Sequence, residues 1–230
     1  MSAHAADEVR SLILDEFAPY QGTVTGTIIA TLPDLASGVA ATPADVGGVF
    51  GEAAAQGEVP VGALEYSTDT LEFGSRRDVP VGTIVTSRDG EVTRRRILAF
   101  GGNGTIGIGA QDYASAGHML PDVETGMAEL ARYTQGRARQ LGYAGSVRVE
   151  IDFFREGGDL RLFTVDPESG ERVQSATVAD FRGFTYEYSL AWPPERQHAA
   201  HFEAATRLAR AFGVAEPQWF RAIAPVSPQG

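Results

Sequence analysis

The chain has 230 residues, 43% of them hydrophobic, and its 30 acidic residues outnumber 19 arginines and no lysines to give a formal net charge of −11. Neither half is basic: residues 1–119 carry −8 and residues 120–230 carry −3. The clustered cations that neutralise nucleic-acid phosphates are therefore missing, and nucleic acid is not an expected partner. The absence of cysteine excludes disulfides, thiolate metal ligands and thiol nucleophiles.

No apolar run reaches the roughly 18 residues needed to span a bilayer. Met1-Ser2-Ala3-His4 also lacks the basic-then-apolar order of a secretory leader. A cytoplasmic protein without membrane attachment is expected, and the Arg, Ala and Gly usage points to an actinobacterial or phage origin.

In chain order, Val9, Leu12, Ile13 and Phe17 recur at helical spacing, with Asp7 and Glu8 in the first turn where the helix dipole favours acids. This predicts a helix over 5–17 that closes near Pro19. The β-branched run 23–32 predicts a strand stopped by Pro33-Asp34. Thr42-Pro43-Ala44-Asp45 then supplies an N-cap, a first-turn proline and an acid that together start a second helix. Glu58-Val59-Pro60-Val61-Gly62 recurs as Asp78-Val79-Pro80-Val81-Gly82. Each copy leads into two short β-prone runs, 63–66 with 70–73 and 83–86 with 91–93, the second pair joined through Asp89-Gly90. They read as consecutive hairpins of an antiparallel meander.

A helix is predicted over 122–141, with Val123, Met127, Leu130 and Ala138 on one face and Gly142 as terminator. Val147, Val149, Ile151 and Phe153 alternate with Arg148, Glu150 and Asp152, predicting a strand that forms a hairpin with 160–165. Strands at 172–178 and 184–190 follow. Pro193-Pro194 then opens a helix to about 212, ended by Gly213, before a partly ordered tail. The blockwise order predicts an α+β fold, mainly antiparallel sheet built of β-hairpin meanders and packed with about four helices. Its expected organisation is a 1–119 unit, a 120–213 unit and a 214–230 tail, or a single domain.

Several constellations could carry chemistry. The run from Ile97 through Gly101, Gly102 and Gly104 to Gly107 resembles the dinucleotide-binding turn of short-chain dehydrogenases and epimerases, which would make those glycines cofactor-binding. That motif needs a strand, a turn and a helix whose amides meet a pyrophosphate. Residues 105–109 alternate like a strand instead, and the family's tyrosine–lysine pair cannot exist in a lysine-free chain, so a glycine turn between two strands is the expected structure. His198 and His201 stand one turn apart and could share a metal; solvated helix histidines are the competing reading. Glu150 and Asp152, with Glu187 on a neighbouring strand, could divide acid and base roles, against a solvated acidic face.

Arg94-Arg95-Arg96 is expected to alternate across a strand and enter ion pairs. Tyr186 and Tyr188 lie in an aromatic stripe that suits a core, a pocket or an interface. Trp219-Phe220, outside regular structure, suggests docking onto this chain or a neighbour. Together these features predict a non-catalytic protein-binding or assembly protein without a cofactor, self-associating or engaging another protein. A phage or secretion-machine component or an immunity-type inhibitor would fit that description. The alternative is a small-molecule enzyme or nucleotide-binding protein using 101–107 or a pocket lined by Tyr186, Tyr188 and Glu150.

Overall fold

The structure, a computed structural model, describes residues 2–18, 24–35, 39–55, 70–88, 91–112, 118–155, 160–166, 168–178 and 181–221. The first repeat copy, the Asp89-Gly90 turn, the 156–159 turn and the end of the tail lie outside these residues. Four α-helices are present among those described: α1 (Ser2–Phe17), α2 (Pro43–Ala55), α3 (Leu120–Gln140) and α4 (Pro194–Ala211). The strands are β1 (Val24–Thr31), β2 (Thr70–Arg76), β3 (Val79–Arg88), β4 (Glu91–Phe100), β5 (Ile106–Asp112), β6 (His118–Met119), β7 (Ser146–Arg155), β8 (Leu162–Val165), β9 (Arg172–Gln174) and β10 (Phe184–Ser189). The expected α+β class, with an antiparallel sheet and four helices, is what forms.

Seven strands make one antiparallel sheet in the order β10-β7-β1-β5-β4-β3-β2, so strands from both sides of residue 119 share it. The hairpin expected between β7 and 160–165 is corrected. β7 is flanked by β1 and β10, while β8 joins β6 in parallel and β9 antiparallel in a separate three-stranded sheet. Val147, Val149 and Ile151 are almost fully buried, and a central place in the large sheet satisfies both edges of the strand that carries them.

The meander is also tighter than the repeat suggested. Asp78 stands in a two-residue turn with Arg77, and the rest of the second copy is already strand β3.

Helix α1 covers one face of the sheet. Its ridge of Val9, Ile13 and Phe17 packs with Ile29, Val81, Ile97 and Ala99 in a core of its own. The approach is close because β5 offers glycine beneath the helix. A Cβ on Gly107 would stand 2.4 Å from Val9, and one on Gly109 would stand 2.2 Å from Ile13. The opposite face carries α2, α3 and α4 over the larger core, centred on Ile28, Phe100, Leu130, Ile151, Tyr188 and Leu208.

The start signal of α2 works as expected: Asp45 N–H donates to Thr42 Oγ1 at 3.3 Å and Thr42 N–H donates to Asp45 Oδ2 at 2.7 Å, a reciprocal capping box. No helix among the described residues is long and apolar enough to cross a membrane.

Candidate functional site

Among the described residues the sheet ends at β2, the run 63–66 expected to pair with it lying outside them, and the geometry of this strand follows from the turn that precedes β3. Arg77 (φ 49°) and Asp78 (φ 65°) both take left-handed backbone, the pattern of a two-residue type I′ hairpin. In such a hairpin the residues flanking the turn, Arg76 and Val79, exchange both main-chain hydrogen bonds, and pairs alternate from there. Ser75 opposite Pro80 is then a non-hydrogen-bonded pair, which suits a proline with no N–H to give. By the same alternation Leu71, Phe73 and Ser75 turn their N–H and C=O groups away from β3, toward the side on which no described strand lies.

The two faces of this edge differ. On the α2/α3 side the Phe73 ring lies over Gly82, where a Cβ would stand 3.1 Å from it. The ring also meets Phe50 edge-on at 5.9 Å. Phe73 still keeps 43% of its surface exposed. Beside it a narrow apolar groove is lined by Phe50, Leu71, Gly82, Ile84 and Tyr133. On the α1 side Glu72 and Arg76 line a polar hollow with Arg95 and Thr83. Arg76 Nε reaches Glu16 at 3.4 Å and Arg77 reaches Asp15 at 2.5 Å, which tie the turn to the end of α1. An edge with outward main-chain groups, an exposed aromatic ring and an adjoining groove can receive an added strand.

The residues singled out from sequence lie elsewhere and do not form one site. Gly101, Gly102 and Gly104 make the turn joining β4 to β5, and two antiparallel strands flank it where a dinucleotide turn would have a strand and a helix. Gly101 and Gly107 sit under Val9 of α1, and Gly104 (φ 71°) is enclosed by Leu32 and Leu35. Glu150 does not face open solvent: α1 crosses that face, and Glu150 receives Arg10 at 2.5 Å and Arg148 at 3.5 Å. Asp152 Oδ1 accepts the N–H of Phe153 at 2.8 Å. Glu187 is exposed opposite Arg148.

The arginine run alternates as expected of a strand. Arg94 pairs with Asp122 at 2.5 Å, and Arg96 pairs with Glu129 at 3.1 Å in a bridge whose side chains are almost wholly buried.

His201 is not a solvated helix residue. It is buried, its Nδ1 lies 3.0 Å from the Tyr186 hydroxyl, and its ring packs on Tyr188 at 4.6 Å. Burial, with His198 nearby, pushes its pKa down to about 4. His198 Nε2 donates instead to the carbonyl of Arg221 at 2.8 Å, so the two histidines serve separate partners. Among the described residues no three His, Asp or Glu side chains are grouped to hold a metal.

Tyr186 and Tyr188 are core residues. Phe220 is buried against both histidines, and Trp219 is partly exposed beside it. Their anchor was invisible in the sequence. The carboxylate of Glu124, buried on α3, accepts the N–H groups of Gln218 (2.8 Å), Trp219 (2.5 Å) and Phe220 (2.9 Å). Burial raises the Glu124 pKa against the pull of those three donors. The Gln218 side chain adds a two-way clasp on Val165, so the segment is strapped to its own chain.

No family model matches this chain, and no curated protein or solved structure matches it either.

Proposed function

We propose that this chain is a non-catalytic assembly protein that engages another polypeptide by strand addition at the β2 edge. The observation that carries this reading is the outward turn of the main-chain groups of Leu71, Phe73 and Ser75 beside the exposed Phe73 ring. Main-chain bonds supply the attachment, and the exposed Phe73 ring supplies apolar surface for a side chain of the added strand. The internal engagement of Glu150, Asp152, His198 and His201 supports binding over acid–base or metal chemistry at those positions.

The test is Ser75→Pro. It removes an outward N–H and leaves the β2–β3 ladder intact. Wild type and variant are purified from the native source and compared by native mass spectrometry. A chain that accompanies the wild type in fixed stoichiometry is expected to be lost from the variant while the melting temperature is unchanged. Retention of the same chain by the variant would overturn the reading.

A further inference from the structure

We propose that the strand added at this edge is the β2 of a second copy of the chain, paired antiparallel about a two-fold axis at Gly74. The inference rests on the strand-addition reading above and names its partner. In this register Phe73 of each copy lies opposite Ser75 of the other. Both residues point their main-chain groups outward, so the two pairs exchange four hydrogen bonds. Glu72 of each copy then lies opposite Arg76 of the other, at non-hydrogen-bonded positions where facing side chains approach most closely.

Charge is what selects a second copy. Glu72 is exposed and has no ion-pair partner among the described residues. The Arg76 side chain is 44% exposed, reaches Glu16 at 3.4 Å and donates to the outward Ser75 carbonyl at 3.3 Å, a contact that pairing would exchange for Glu72 of the second copy and its Phe73 N–H. A strand carrying one sign at both positions would repel its own copy; this strand carries opposite signs, symmetrically placed about a glycine. The same contact made twice is the property of a closed two-fold interface. On the other face the Phe73 rings become diagonal neighbours and cover the exposed apolar surface. A single strand pair buries less than a standard interface, so the dimer is expected to be concentration-dependent, with a dissociation constant of about micromolar or weaker.

Sedimentation equilibrium of the full chain over a concentration series tests this, with circular dichroism to confirm folding. Wild type is expected to follow a monomer–dimer equilibrium. Glu72→Arg alone and Arg76→Glu alone each place like charges opposite twice and should weaken the dimer about tenfold or more. The double variant Glu72→Arg/Arg76→Glu restores both pairs in reversed sense and should recover wild-type association to within about threefold. Ser75→Pro should leave monomer. A dimer that ignores Glu72→Arg and Ser75→Pro overturns the proposal. A wild type that stays monomeric throughout overturns self-pairing alone; strand addition then stands or falls on whether Ser75→Pro loses a different chain in the native-source comparison.

Discussion

Replacing His201 isolates one group's contribution to the pH dependence of stability. In the folded chain the imidazole is 6% exposed, enclosed by Tyr186, Tyr188 and Phe220, and its pKa is pushed from 6.5 to about 4 by burial and by His198. Unfolding returns the ring to water and to its ordinary value. Between those two values the unfolded chain binds a proton that the folded chain refuses. The stabilisation is therefore complete above the unfolded value and is lost as pH falls toward the folded one. Linkage puts the full loss at about 3 kcal/mol, of which about 2 kcal/mol falls between about pH 7.5 and about pH 5.

The assay is urea unfolding at those two pH values for wild type and His201→Gln, followed through Trp192 and Trp219. Glu124, whose raised pKa acts in the opposite sense, is common to both proteins and cancels in the difference. The stability gap between the two pH values should shrink by about 2 kcal/mol in the variant. An unchanged gap, or an NMR titration that places His201 near its ordinary value, refutes the reasoning.

Gly109→Ala should cost about 1–3 kcal/mol in denaturant unfolding, because the new methyl stands where Ile13 packs. Gly102→Ala, with no neighbouring atom in the way, should leave stability close to wild type. Glu129→Leu strands the buried Arg96 guanidinium and should cost about 3–5 kcal/mol. Adding Arg96→Met should recover most of that loss in the same urea titrations; a double variant as unstable as the single one would show that packing, not the orphaned charge, sets the cost.

The helices and most strands were legible because their information is local. Thr42 and Asp45 start α2 through contacts three residues apart, and the alternation of Val147, Val149 and Ile151 fixes which face of β7 is inside. What stayed hidden depends on distant partners. Gly107 and Gly109 read only as glycines of a strand, because the residues that require them, Val9 and Ile13, lie far back in the chain. The neighbours of β7 are β1 and β10, and no adjacent turn specifies either.

The strap has the same cause. A glutamate inside the apolar pattern of α3 was a signal that something must satisfy it, but nothing nearby identifies the main chain of 218–220 as its partner. The β2 strand was visible but its place at the end of the described sheet was not, because the sequence pairs 70–73 with 63–66, outside the described residues. The repeated proline motif placed a meander there, while the left-handed turn at Arg77-Asp78, which decides which main-chain groups face outward, has no glycine to announce it.

The position of β1 has a kinetic consequence. The strands from β2 to β5 pair with their neighbours in sequence and can form as a local meander. β1 precedes the meander in the chain and docks on β5, yet its other edge waits for β7, more than a hundred residues later. Long-range pairings of this kind slow folding and leave an apolar strand open to wrong partners in the interval. The α1 ridge, emerging just before β1 and packing against its Ile29, shields one face during that wait. Refolding should therefore show a fast phase for the meander and a slow one in which β1 and β7 close the sheet, with aggregation competing in the slow phase.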